Sequence, residues 1–373
     1  MSATSTANDT FTGPPRADVV GSLLRPPALL RARTAWQSGR LSSADYKRVE
    51  DDAVNDAIAL QEYCGLDVVT DGEMRRMFFT GVVTEALEGI ELTSGQTTTW
   101  HGTDTDDESI QLPVAVTGKL RRTRSLATEE YSYARARTTK PVKVTLPSPL
   151  MLSYFWSPEH STVAYADPFT MFADAAAIVT GEVRELAALG CRYIQIDAPE
   201  LITLSDPTQV AYFDALGISG ERMLDEGIEI INACADVPGV RFVMHLCRGN
   251  NRGKWLAEGG YGAISRKVFS RAHNFDGFAL EYDSPRAGTF EALRDVPHDK
   301  TVILGLVSTK SGRVESREEI VARIDDAARH FPRERLALST QCGFASEQTG
   351  NPITAEAQAE KLTLVAEIAH SVL

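Results

Sequence analysis

The stretch RFVMHLCRGNNRGKW, residues 241–255, ends an apolar run on His245 and Cys247, two metal-ligating residues held two positions apart. Two further residues of that type close other strand-like runs. Glu281 ends the run in GFALEYD, and Cys342 follows RLALST in STQCGF. Two thiolates, one imidazole and one carboxylate make a tetrahedral zinc set, and thiolate softness disfavours magnesium or calcium. Zinc in such a site lowers the pKa of an incoming thiol and holds it as thiolate at neutral pH. Glu281, the hard oxygen among softer ligands, is the one readiest to give way to that thiol. Two cysteinates already cancel the ion's charge, so the bound sulfur stays nucleophilic and the chemistry implied is thiol alkylation. A plainer alternative stands beside this one: a closed four-ligand zinc site can be purely structural. Cys64, Cys191 and Cys234 fall on helix ends or helix faces and are read as structural.

Residues so far apart in the chain converge only if strands carry them to one face. Eight β-rich runs recur, at 17–22, 67–73, 142–148, 193–199, 241–247, 277–283, 301–307 and 335–340. Helical patterns alternate with them. One stops at Gly65, one opens on Asp167 and Pro168 and stops at Gly190, and one carries Ser316 and Glu319 at capping-box spacing. Near-continuously apolar strands alternating with helices imply a parallel sheet covered on both faces. Eight such units favour a closed (β/α)8 TIM barrel over an open doubly wound sheet, with the chemistry at the strand ends. The polar stretch 93–140 breaks the rhythm and is expected to be a hairpin-like insertion after the second strand. Residues 1–16 read as a disordered tail, and 17–373 as a single domain.

A formal net charge of −13 argues against broad nucleic-acid binding. No apolar run approaches a membrane span, and the N-terminus has no signal-peptide pattern, so the expected location is cytoplasmic.

The runs DVVGSLLRP, DVVTDGEMRR, YIQIDAPEL, MHLCRGN, FALEYDSPR, VILGLVSTKSGRVES and LALSTQCGFAS stand in the order seen in the catalytic barrel of cobalamin-independent methionine synthases, which this chain resembles from about residue 17 onward. The resemblance implies a zinc-dependent (β/α)8 barrel that methylates homocysteine. It implies zinc ligands His245, Cys247, Glu281 and Cys342, and a homocysteine site at Ser22, Glu73 and Asp197. Two departures stand out. Ser153 takes the place of the aromatic residue that stacks on the folate pterin, with Tyr154, Phe155 and Trp156 nearby. Lys310, in STKSGR, takes the place of the catalytic histidine. As a catalytic residue it would protonate a leaving group if its pKa were lowered, or anchor an anionic substrate. The chain also has no room for the family's second, N-terminal barrel. These departures resemble the short single-barrel relatives, among them epoxyalkane:coenzyme M transferase, so an alkyltransferase for another thiol is the second reading. A non-catalytic zinc-binding barrel is the third. Arg248 and Arg252, beside the expected metal, would serve an anionic donor or thiol.

Overall fold

Six of the apolar runs become the strands of one parallel sheet in the structure, a computed structural model that describes residues 13–102 and 106–373. They are β5 (Lys143–Pro147), β6 (Tyr193–Asp197), β7 (Arg241–Leu246), β8 (Gly277–Glu281), β9 (Thr301–Val307) and β10 (Leu336–Thr340), each paired with its sequence neighbour. All but the first residue of β7 are buried, so both faces are covered.

The two N-terminal runs depart from expectation. Instead of full strands, each contributes one bridging residue, Ala17 to Leu338 and Val69 to Val142. In the second run Gly72 and Glu73 sit at φ +68° and +54°, which turns the chain out of the extended conformation at the run's end. Even so, hydrogen bonds run on past both sheet edges. Asp18 donates its N–H to the Leu338 carbonyl at 2.9 Å beside β10, and Lys143 donates to the Val69 carbonyl at 2.9 Å beside β5. Asp67 N–H then donates to Ala17 O at 3.0 Å, joining the two segments.

The helices begin where their caps stand. Asp167 accepts from Phe169 N–H ahead of the helix Pro168–Ala188, and Ser316 and Glu319 form a reciprocal capping box ahead of Arg317–Ala327. Ser42 caps Ser43–Tyr63, which ends before Gly65 at φ +85°. Residues 1–12 of the expected tail lie outside the described residues; Arg16 donates its backbone N–H to Asp67.

After the Val69 bridge the chain makes an antiparallel excursion. β1 (Leu87–Leu92) pairs with β4 (Val114–Arg122), and β2 (Thr97–Trp100) with β3 (Glu108–Gln111), and a helix at Thr128–Arg135 comes next. The first ladder thus starts at 87, ahead of the expected 93. Its inner hairpin is fastened to the loop after β7. His101 and Trp255 exchange backbone hydrogen bonds at 2.8 and 2.9 Å, and Glu108 pairs with Arg252 and, at 3.2 Å, with Lys254.

Candidate active site

Register sets the floor of the site. Asp197 ends β6 directly opposite His245 on β7, and Cys247 lies one residue past the end of β7. Cys342 enters two residues after β10. The ligand atoms of His245, Cys247 and Cys342 all lie within 4.8 Å of one another, and all three residues are buried. The sulfurs are 3.8 Å apart. Two sulfurs each ~2.3 Å from a tetrahedral zinc stand about 3.8 Å from each other, so the spacing suits such an ion. His245 Nδ1 lies 3.3 Å from the Ala279 carbonyl, which fixes the ring, while its buried Nε2 has no hydrogen-bond partner among the described residues. An imidazole oriented through one nitrogen with the other left bare is the arrangement of a metal ligand. The residues fit a soft divalent cation.

The protons of the two cysteines are shared unequally. The hydrogen bond between the two sulfurs, together with burial, raises Cys247 well above the ordinary thiol range. The same hydrogen bond, with the His245 ring beyond it, holds Cys342 well below that range against the cost of its burial.

Glu281 stands apart from this cluster. Its Oε2 accepts from Arg248 N–H at 2.5 Å, and its Oε1 lies 3.2 Å from Lys310 Nζ. Burial alone would raise its pKa; Lys310 and Arg248 more than offset that and lower it. The structure therefore brings three of the four expected ligands together and holds the fourth on an ammonium. Burial pulls the Lys310 pKa down, but Glu281 and Asp283 outweigh it and the net direction is up.

Above the floor opens a cavity of about 190 Å³, and Ser22, Glu73 and Asp197 all line it with the three ligands. Ser22 Oγ accepts from Ala345 N–H at 3.3 Å. Glu73 Oε1 accepts from the Thr145 hydroxyl at 2.9 Å, leaving Oε2 buried and unpartnered among the described residues. Asp197 accepts from Gln195 Nε2 at 2.7 Å, and burial pushes its pKa up to about 7. Both carboxylates thus line the cavity, and Arg76 Nη1 stands 3.8 Å from Glu73 Oε1.

Several expectations about the second substrate change here. Ser153 is fully buried and outside the cavity, whereas its neighbours Tyr154 and Phe155 line the wall. Trp156 points elsewhere, donating Nε1–H to the Leu216 carbonyl. Arg248 is buried against Tyr261 and donates Nε–H to Gly259 O at 2.7 Å, while Arg252 pairs with Glu108. Neither arginine lines the cavity, so neither is placed to bind an anionic substrate there. Sequence reasoning missed the roof. Thr98, Trp100, Ile110 and Leu112 of the β2–β3 hairpin close the cavity, and the signal was their period-two spacing within an otherwise polar stretch.

The fold and site define a parallel α/β protein whose strand ends gather a candidate Cys/His metal site and two carboxylates in one cavity. The chain belongs to the family of cobalamin-independent synthase catalytic domains, matched over residues 16–367. It is 36% identical over 365 residues to the uncharacterised protein YxjH of Bacillus subtilis, covering 96% of this chain and 95% of that one. It is 24% identical to a methionine synthase of Saccharolobus solfataricus, covering 87% of each chain. Among solved structures, a candidate vitamin-B12-independent methionine synthase of Listeria monocytogenes superposes with a TM-score of 0.70 at 28% identity, covering 96% of this chain and 98% of that one. Among the described residues, no helix is long and apolar enough to cross a membrane.

Proposed function

We propose that this chain is a cytoplasmic, zinc-dependent thiol S-methyltransferase that converts homocysteine to methionine, built as a single closed (β/α)8 barrel over residues 17–373 with the 93–140 insertion over its mouth. Closure is supported by the hydrogen bonds that link residues 16–18 and 67–69 to each other and to the two sheet edges. The observation that carries the activity is the convergence of His245, Cys247 and Cys342 on one wall of the cavity that Ser22, Glu73 and Asp197 also line.

His245, Cys247 and Cys342 would hold the zinc ion, which when bound would acidify an incoming thiol and keep it as thiolate at neutral pH. The protein's own residues do the rest. Glu73 and Asp197 hold the amino acid's ammonium, and Ser22 with the neighbouring backbone receives its carboxylate, which points the side-chain sulfur at the floor. Glu281 would complete the ligand set in the absence of a thiol by leaving Lys310, which stands 3.2 Å from its Oε1. Lys310 and Arg248 N–H hold its carboxylate once the thiol takes its place, so Lys310 is a positioning residue. The apolar roof excludes water from the nucleophile. A sulfonated acceptor thiol is the weaker reading, because among the described residues no Lys or Arg lines the cavity to receive a second anion.

The test is to incubate zinc-loaded protein with homocysteine, coenzyme M and glutathione against several alkyl donors and to identify by mass spectrometry which thiol gains mass. Methionine is the expected product, lost in Cys247→Ser together with the metal. An intact metal site that alkylates no thiol refutes the reading.

A further inference from the structure

The cavity's lining constrains the methyl donor more sharply than the acceptor. Among the described residues it contains three carboxylates, Glu73, Asp197 and Glu347, and neither lysine nor arginine. Five aromatic residues also line it, Phe78, Phe79, Trp100, Tyr154 and Phe155, with Phe78 bridged to Glu347. Trp100 is set in place by its Nε1–H bond to the Thr98 hydroxyl at 3.1 Å and by the adjoining His101–Trp255 bridge, and Tyr154 packs against Phe213 with ring centroids 5.5 Å apart. With Glu73 and Asp197 engaged by the acceptor's ammonium, the ring faces and Glu347 remain to attract a positive charge carried on an apolar body. An anion against the same rings would stand beside Glu347 with no lysine or arginine on the lining to pair with it.

The leaving group points the same way. Lys310, the residue standing where a proton donor was expected, is outside the cavity wall and tied to Glu281 at 3.2 Å. A donor that departs as a neutral molecule needs no proton from it.

Building on the thiol methyltransferase reading above, we propose that the methyl donor is a compact sulfonium with no net negative charge, seated against Trp100, Tyr154 and Phe155. The acceptor thiol gives up its proton to solvent, and the thiolate's electron pair forms the new sulfur–carbon bond to the methyl group. The bond from that methyl to the sulfonium sulfur breaks, and its pair stays on the departing sulfur. The products are methionine, a neutral dialkyl sulfide and one proton. Quaternary ammonium ions share the recognition chemistry but leave less readily.

The experiment supplies zinc-loaded full-length protein and homocysteine with trideuteriomethyl-labelled trimethylsulfonium, S-methylmethionine, tetramethylammonium or 5-methyltetrahydrofolate, and reads methionine by mass spectrometry. Calorimetry measures trimethylsulfonium binding without the thiol. The label is expected in methionine from at least one sulfonium, with binding at least tenfold weaker in both Trp100→Leu and Tyr154→Leu, and circular dichroism confirms that each variant folds. Label transferred from the folate and from neither sulfonium overturns the donor assignment while the methyltransferase reading stands. Binding that is indifferent to both substitutions also overturns it. No transfer from any donor, with no thiol-dependent change at the metal, overturns both.

Discussion

Replacing Lys310 with methionine should weaken the grip of metal-loaded protein on homocysteine and tighten its grip on zinc when the thiol is absent. The Lys310 side chain is 7% exposed, and its ammonium stands 3.2 Å from Glu281 Oε1. At that separation the gross attraction is roughly 5 kcal/mol with an effective dielectric of about 20. Desolvation of two buried groups offsets much of it, and a hydrogen bond between charged partners nets about 1.5–3 kcal/mol. Glu281 would keep its 2.5 Å bond from Arg248 N–H and the guanidinium groups of Arg248 at 3.7 Å and Arg286 at 4.0 Å. The lower end therefore applies, about 1.5 kcal/mol or roughly tenfold. The sign comes from the proposed competition: the carboxylate would bind either the ammonium or an ion at the three-ligand cluster, and an incoming thiol would need it on the ammonium. Chelator competition with and without homocysteine measures both constants. The zinc Kd should fall about tenfold and the homocysteine Kd rise by a similar factor, and a double-mutant cycle with Glu281→Gln should show coupling of that size. Two unchanged constants, or a cycle with no coupling, would refute the exchange of Glu281 between metal and lysine.

Three other perturbations test the same geometry. In metal-stripped protein, iodoacetamide near pH 6.5 should label Cys342, whose pKa is depressed, well before Cys234, which burial pushes up to about 12; peptide mapping reads the order. Asp197, raised to about 7 by burial, is protonated below that pH and ionised above it, so its pairing with an ammonium strengthens as pH rises. Methionine, which has no titrating thiol, should bind up to about tenfold tighter at pH 8 than at pH 6, and Asp197→Asn should remove that slope. Lys143 is 1% exposed and donates to Asp18 and Gln195 at 2.8 Å each. Lys143→Met leaves the Asp18 carboxylate without its cation and should cost ~3–5 kcal/mol in denaturant unfolding.

Strands β5–β10 were legible because burial on both faces leaves runs with almost no polar interruption. The same apolar signal occurs at 17–22 and 67–73, yet those segments hold only bridging residues, and pattern alone carries no information about the positive φ at Gly72 and Glu73. His245, Cys247 and Cys342 were legible because soft ligand types at strand ends are few. The placement of Glu281 was not, because it is decided by a cation 29 residues further along the chain. Nor was the roof: Trp100 gains its meaning from the neighbouring His101–Trp255 bridge, a pairing that local sequence does not encode.

The two ends of the cavity are made by different means. At the metal end, in-register strands deliver Asp197 opposite His245, and no backbone distortion is needed. At the amino-acid end, side chains have been removed so that polar groups can approach. A methyl group on Gly343 would stand 2.0 Å from Ser22 Oγ, and one on Gly21 would stand 2.5 Å from Glu73 Oε1. Glu73 itself holds φ +54°, which costs a non-glycine residue on the order of 1 kcal/mol or more. A carboxylate that only capped the next helix would not require this conformation, and Glu73 Oε2 has no partner among the described residues to compensate for it. Arg76 stands 3.8 Å from Glu73 Oε1, so it is the strain, the unpartnered Oε2 and the clearance at Gly21 that a second, bound cation would account for, while the clearance at Gly343 would serve the carboxylate that Ser22 receives. The substrate's ammonium is that cation in the methyltransferase reading, which makes Glu73 the residue whose loss should separate substrate binding from metal binding.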